Sequence, residues 1–76
     1  MTKEIYLQLL LKSAYNRKDV MLLTGCSHST ATKVMKICRE AYNGAIMHRD
    51  YYITSDSFFA YQGTTRKKEL ELLERN

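Results

Sequence analysis

The sequence has no proline, no tryptophan, only three glycines and two cysteines, and no long hydrophobic run. Cys26 and Cys38 are too few to cross-link a small secreted scaffold, and the start of the sequence lacks the pattern of a signal peptide. The apolar stretch around Leu9 and Leu10 is far shorter than the about 20 residues that a membrane-spanning helix needs. We therefore expect a soluble, cytoplasmic protein with free thiols and no membrane partner.

Features that would indicate an enzyme are also missing. The 76 residues allow one thin core and leave no room for a separate substrate domain. The sequence contains no glycine-rich phosphate loop, no paired carboxylates in apolar surroundings, and no nucleophile with a base at fixed spacing. Zinc-site spacing is absent among the four side chains that can bind this metal, which are Cys26, His28, Cys38 and His48. The sequence therefore predicts a non-enzyme without metal or cofactor, folded as one domain over residues 1–76.

Basic side chains are concentrated in the middle of the chain, although the net charge is only +4. Residues 12–49 carry seven basic and two acidic side chains, whereas residues 50–76 carry four basic and five acidic ones. Such an asymmetry is typical of proteins that bind nucleic acid or an anionic membrane surface. A basic helix face that is merely solvated remains the alternative.

Helical patterns cover the first half of the chain. Residues 2–15 are all tolerated in helices and carry apolar side chains at helical spacing, which predicts a first helix. A second helix is predicted over 18–24, because Gly25 can leave a helix at positive φ. Ser27 is a good N-cap, so a third helix is predicted from residue 28 to residue 42 or 43.

The second half of the sequence indicates a hairpin and two further helices. Short β-branched and aromatic segments on either side of a polar centre predict a β-hairpin over 45–54. A fourth helix is predicted over 55–62 and a fifth over 65–75, each beginning at a Ser or Thr cap. The fifth helix can either dock on the first helix or mediate dimerisation. The predicted fold class is therefore mainly α with a short β-hairpin.

The third predicted helix separates into two faces when its residues are placed at 100° intervals. One face is apolar and is expected to lie in the core: Ala31, Val34, Met35, Cys38, Ala41 and Tyr42. The other face is basic and rich in hydroxyl groups: His28, Ser29, Thr32, Lys33, Lys36, Arg39, Glu40 and Asn43. We expect this second face to point away from the core.

A helix, a turn that contains glycine, and a helix with one apolar and one basic face form the layout of a helix-turn-helix. The segment from Asp19 to Lys36 resembles that family. With the hairpin and the segment Tyr51-Tyr52-Ile53-Thr54-Ser55-Asp56-Ser57-Phe58-Phe59, the chain is similar to excisionase-type winged helix-turn-helix proteins over residues 19–62. The resemblance implies a winged fold that binds double-stranded DNA with helix 28–42 in the major groove.

The resemblance also implies which residues face DNA. Arg49 would be the contact at the tip of the wing, and the others are Ser27, His28, Ser29, Thr32, Lys33 and Lys36. Short side chains near the start of the third helix can reach base edges, whereas Lys33, Lys36 and Arg39 can pair with phosphates or guanine acceptors. Arg49 can enter a narrow minor groove, or it can simply form a turn with Asp50.

Three functions fit this sequence. An excisionase would bind neighbouring sites, bend DNA and assist a recombinase. A phage or mobile-element transcriptional regulator would bind an operator, as a dimer with half-sites spaced by helical turns. Both predict a nucleoid-associated cytoplasmic protein, with double-stranded DNA as its partner and with a recombinase or further copies of itself as additional partners. The third is a protein-binding module or inhibitor that has the helix-turn-helix shape but does not bind DNA.

Overall fold

The computed structural model describes residues 2–75, so that Met1 and Asn76 of the predicted domain 1–76 lie outside the described residues. The described chain forms five helices and a two-stranded antiparallel sheet. This architecture confirms the predicted mainly α class, and its short β component is this antiparallel pair of strands. Across residues 2–75, no helix is both long enough and apolar enough to cross a membrane.

The first helix is shorter than predicted. Helix α1 spans Lys3–Leu11, and the backbone then becomes extended, so that Ala14–Tyr15 forms strand β1 instead of the end of a helix. Tyr15 is fully buried, and its hydroxyl donates a 2.6 Å hydrogen bond to the carbonyl oxygen of Leu9. Burying this large ring in the core outweighs the weak helical preference of the segment.

Helix α2 spans Arg17–Thr24 and begins at a reciprocal cap. The Asn16 side chain accepts from the backbone N–H of Asp19 at 2.9 Å, and the Asp19 carboxylate accepts from the backbone N–H of Asn16 at 3.1 Å. Lys12 also binds this carboxylate, with 2.6 Å between Nζ and Oδ2. Gly25 ends the helix in the left-handed region at φ 70°, as its lack of a side chain predicted.

Helix α3 spans His28–Ala41 and begins where the sequence predicted. The Ser27 hydroxyl accepts from the backbone N–H of Thr30 at 3.3 Å and so caps the helix. The chain leaves α3 through Asn43, which lies in the left-handed region at φ 55°, and the backbone N–H of Gly44 donates to the carbonyl oxygen of Cys38. Helices α2 and α3 pack on each other around the turn 25–27 and form a helix-turn-helix arrangement.

The sheet has a different partner strand from the one predicted. Strand β2, Ile53–Thr54, pairs with β1 in the register Tyr15 to Ile53. On its other side Ile53 forms one antiparallel bridge with Ala45, so the predicted hairpin 45–54 is reduced to a single bridge that closes a loop. Two successive turns fill residues 46–52, where the sequence predicted most of the hairpin. In these turns the backbone N–H of Arg49 donates to the carbonyl of Ile46, and the backbone N–H of Tyr52 donates to the carbonyl of Arg49.

The last two helices begin and end close to their predicted limits. Helix α4 spans Ser55–Tyr61 with Thr54 as its N-cap, and helix α5 spans Arg66–Arg75. Helix α5 packs against α1, where the Tyr6 hydroxyl donates to the Glu69 carboxylate at 3.2 Å. Of the two arrangements left open for the fifth helix, this chain shows docking on the first.

The core lies where α1, β1, α2, α3, β2 and α4 meet. The Tyr15 ring packs edge-on against both phenylalanine rings of α4, at centroid distances of 5.8 and 6.1 Å. Ala41 and Tyr42 were predicted to lie in the core but are exposed, because the end of α3 runs beyond it. The buried apolar residues are Leu9, Leu10, Tyr15, Val20, Ala31, Met35, Cys38, Ile53, Phe58 and Phe59.

Candidate nucleic-acid interface

The outward surface of α3 is the strongest candidate for a functional site. Ala31 and Cys38 are fully buried and Met35 is 3 % exposed, which anchors one side of the helix in the core. Lys33 and Lys36 on the opposite side are exposed. The helix therefore presents a polar, basic surface to solvent and is held from behind by its apolar side chains. We call the surface formed by Ser27, His28, Ser29, Thr32, Lys33, Lys36 and Arg39 the basic face.

The two lysines of the basic face are available to a ligand. Neither Lys33 nor Lys36 forms an ion pair with any residue of 2–75. Glu40, the acidic residue of α3, follows Lys36 at helical spacing but does not pair with it in the described chain. Two unneutralised ammonium groups one turn apart give this part of the helix a positive potential that favours an anion.

Two hydroxyl groups of the basic face are partly committed to the helix itself. Ser27 accepts from the Thr30 backbone, and its own hydroxyl donates to the Thr30 hydroxyl at 3.1 Å. The Thr32 hydroxyl donates to the backbone carbonyl of His28 at 3.0 Å. Ser27 and Thr32 can therefore offer lone pairs to a ligand, while Ser29 is exposed and has only a weak 3.4 Å contact with the Ser27 hydroxyl.

The C-terminal end of the basic face is covered by the loop 46–52. The Arg39 guanidinium donates to the backbone carbonyl of Asp50 at 3.3 Å, and Arg39 is only half-exposed. Asp50 and Tyr51 line a shallow pocket of about 150 Å³ beside Thr32 and Arg39. An anion can reach Arg39 only in competition with this carbonyl and near the carboxylate of Asp50.

Arg49 was predicted either to lie at a wing tip or to form a turn with Asp50, and the structure places it where two turns meet. Its guanidinium carbon lies 4.1 Å above the centre of the Tyr52 ring, which is a cation–π contact. Arg49 and Tyr52 line a depression with residues 11–14, at the end of α1, and not the pocket beside α3. Arg49 is exposed, but the structure does not bring it together with the basic face.

Arg17, which was not predicted as a site residue, lies beside the basic face. As the first residue of α2, it places Nη1 2.7 Å from Nε2 of His28, the first residue of α3. Arg17 also lines the shallow pocket with Thr32 and Arg39. The sequence contains one local signal for the position of Arg17. Asn16 and Asp19 have the spacing of a reciprocal helix cap, which predicts that Arg17 is the first residue of a helix.

A second depression borders α3 on the side away from the basic face. It is an open groove of about 540 Å³ between the helix-turn-helix and α4. The Thr24 hydroxyl lies 2.8 Å from the Cys26 thiol at one end of this groove. Its lining residues are Thr24, Cys26, Thr30, Val34, Phe58, Tyr61 and Gln62.

The sulfur and imidazole groups do not assemble into a reactive centre within the described chain. Cys38 lies on the buried side of α3 and is fully buried, and this burial raises the pKa of its thiol, which keeps the sulfur protonated. Cys26 lies in the groove, whereas His28 contacts Arg17. Residues 2–75 contain no group of three or more His, Cys, Asp or Glu side chains placed to hold a metal ion.

Comparison of the chain with protein-family models, with curated proteins and with solved structures finds no match. What the protein does is therefore inferred from its own residues and their geometry.

Proposed function

We propose that this protein binds double-stranded DNA by inserting α3 into the major groove. The observation that carries the proposal is the division of α3 into a side buried in the core and an exposed basic face, whose two lysines form no ion pair with residues 2–75. A helix can enter the major groove only when its outer side chains are polar or cationic and its inner side is firmly supported. Both conditions are met by α3 and by the packing of α2 behind it.

The size and chemistry of the helix fit this role. Its 14 residues make it about 21 Å long. An α-helix with its side chains is about 10–12 Å in diameter, which a major groove about 12 Å wide admits. His28, Ser29 and Thr32 lie in its first half and can reach base edges. Lys33 and Lys36 lie further along and can bind phosphates or guanine acceptors.

Within the DNA-binding proteins, we favour an excisionase-type factor or a small regulator of a phage or mobile element. The hydrogen bond from Arg39 to Asp50 holds the loop 46–52 against the C-terminal part of α3, which supports a role for this loop as the counterpart of a wing. Arg49 in this loop is exposed and can contact the phosphate backbone without leaving the Tyr52 ring. An excisionase would protect several adjacent sites and bend the DNA, whereas a regulator would protect one symmetric site.

The proposal is tested by removing the charges of Lys33 and Lys36, the two lysines of α3. We expect Lys33→Gln/Lys36→Gln to weaken duplex binding by about tenfold to a hundredfold near 0.15 M salt. The slope of log K against log salt should fall by about 1.8, because each lost phosphate contact removes about 0.9. Affinity is measured on a duplex selected from a random pool, over a series of salt concentrations.

A matched control removes two lysines from a surface that the proposal does not use. Lys67 and Lys68 are exposed on α5, so Lys67→Gln/Lys68→Gln makes the same change in net charge. We expect this control to leave the salt slope nearly unchanged. Equal losses in both double variants would show that the effect comes from net charge alone. A Lys33→Gln/Lys36→Gln variant with unchanged duplex affinity and unchanged salt slope would refute DNA binding by α3.

The open groove beside α4 supports one competing function. Val34, Phe58 and Tyr61 make part of its lining apolar, as expected of a surface that takes up a protein segment. A protein-binding module of helix-turn-helix shape would use this groove and leave duplex DNA unbound. The absence of any duplex binding by the folded wild-type protein would favour this function over the first.

A further inference from the structure

The contact between Arg17 and His28 determines where the imidazole carries its proton. Arg17 Nη1 and His28 Nε2 lie 2.7 Å apart and form a hydrogen bond. A guanidinium has no acceptor and stays protonated at all ordinary pH values, so it can only donate. His28 Nε2 must therefore accept, and the imidazole proton of neutral His28 must lie on Nδ1.

Arg17 is held in place to make this contact. The reciprocal cap of Asn16 and Asp19 sets the start of α2, and the Arg17 side chain is half-buried in the pocket beside Thr32. Its Nε is buried and has no hydrogen-bond partner among the described residues. The guanidinium forms no ion pair with any residue of 2–75. Arg17 therefore lies next to the basic face without an acidic partner among the described residues.

We propose that Arg17 and His28 together form a donor-only surface that recognises guanine. With Nε2 already bonded, exposed His28 has only Nδ1–H to offer a ligand, and the remaining guanidinium N–H groups are also donors. In the major groove guanine presents two acceptors, N7 and O6, and no donor. Adenine and cytosine present an amino donor, which this surface repels, and thymine presents one acceptor beside a methyl group.

This assignment rests on the proposed function and adds to it a base preference and a role for Arg17. Arg17 acts here as a positioning residue for His28, since it selects the tautomer with its donor on Nδ1, and its own remaining N–H groups leave the pair without an acceptor. His28 supplies the base contact. Both roles can be tested separately, because the tautomer can be measured in the free protein and the base preference only in the complex.

The first test is nitrogen NMR of the His28 imidazole in the free protein. We expect the Nδ1–H tautomer to predominate at neutral pH in the wild type. Arg17→Met should lower its fraction, Arg17→Lys should restore it because an ammonium also donates, and Lys18→Met should leave it unchanged as the matched loss of charge. A wild-type imidazole with its proton on Nε2, or one that does not respond to Arg17→Met, would overturn the assignment.

The second test uses the selected duplex with single guanines replaced. Replacement by 7-deazaguanine removes only the N7 acceptor, whereas inosine keeps N7 and O6 and removes the minor-groove amino group. At one guanine we expect 7-deazaguanine to weaken wild-type binding by about fivefold to tenfold, and inosine to have little effect. His28→Ala should bind the guanine duplex and the 7-deazaguanine duplex equally. Arg17→Met should lose most of the wild-type preference for guanine over 7-deazaguanine.

The outcomes separate this inference from the proposed function. Tight duplex binding that is insensitive to 7-deazaguanine at every guanine would overturn guanine recognition and leave DNA binding intact. Sensitivity to 7-deazaadenine alone would also overturn it. If no duplex is bound at all, the proposed function fails together with the guanine preference, while the tautomer measured by NMR still decides the role of Arg17.

Discussion

Gly44 lies where the chain leaves α3 and passes closest to α4. A Cβ atom at this position would overlap the Ser57 hydroxyl oxygen and would lie 2.8 Å from Ser57 Cβ and 3.0 Å from the carbonyl oxygen of Cys38. Ser57 is buried and its hydroxyl donates to the Thr54 carbonyl, so it cannot easily move away. We expect Gly44→Ala to lower the free energy of unfolding by about 2 kcal/mol, as measured by urea denaturation.

Gly63 supplies the matched control for this steric effect. It has a positive φ of 80°, but nothing lies within 4 Å of a Cβ built there, so Gly63→Ala should cost only about 1 kcal/mol of backbone strain. Combining Gly44→Ala with Ser57→Gly should recover part of the loss, because the two sites are in contact and their effects are not additive. A Gly44→Ala variant as stable as Gly63→Ala would contradict the close approach seen here.

At the scale of the elements, α5 is the most weakly attached helix. None of the residues Arg66–Arg75 is buried, and Leu70 and Leu73 pack against the core cluster as partly buried side chains. The Arg66 guanidinium connects α5 to the rest of the molecule by donating to the carbonyl of Lys12 at 3.1 Å and to the Ser55 hydroxyl at 3.3 Å. We infer that α5 opens more readily than the helices around the core.

Removing this connection should therefore loosen α5 selectively. Because Arg66 is partly exposed, we expect Arg66→Met to cost about 1 kcal/mol, and amide hydrogen exchange of α5 should become about fivefold faster. Exchange in α3 should change less, and Lys67→Met is the control, since Lys67 is the exposed neighbour. Equal acceleration in α3 and α5 would show that the helices open as one unit and would contradict this inference.

Local signals account for the elements that were predicted correctly. Ser27 marks the start of α3 and Gly25 marks the end of α2, because helix capping and a left-handed backbone depend on the residue at that position itself. The 14 residues of α3 also make it long enough for its apolar and basic faces to separate clearly. Strand β1 was missed because its pairing partner, Ile53, is distant in the sequence and leaves no local mark on Ala14 or Tyr15.

The candidate site was predictable to the same extent. Lys33 and Lys36 followed from the period of α3, since an amphipathic helix shows its own outer face. Arg17 could not be placed beside His28 from periodicity, because that contact depends on how α2 and α3 cross. Arg49 was assigned to a wing tip by resemblance, whereas the local turns and the ring of Tyr52 determine its position.

At the scale of the whole molecule, two tyrosines link the stability of the fold to alkaline pH. Burial raises the pKa of Tyr15 far above its ordinary value of 10.0, with the nearby charge of Arg66 opposing this shift in part. Burial and the adjacent Glu69 carboxylate also raise the pKa of Tyr6. The folded chain therefore keeps these protons at a pH where the unfolded chain releases them.

The sign of this linkage predicts a loss of stability above pH 10, and Tyr15 is its main source. Below pH 10 the folded and the unfolded chain both keep the Tyr15 proton, so the contribution of Tyr15 to stability is complete. Above pH 10 unfolding releases this proton, and the free energy of unfolding falls by up to about 1.4 kcal/mol per pH unit. We expect Tyr15→Phe to lose about 1 kcal/mol near pH 8, where the hydrogen bond to Leu9 is missing, and to show a shallower decline from about pH 10 to about pH 11.5. Tyr51→Phe is the control, since Tyr51 is 78 % exposed, and urea denaturation across the pH series measures all three proteins. Parallel declines in the wild type and Tyr15→Phe would mean that the Tyr15 hydroxyl does not control the alkaline limit of this fold.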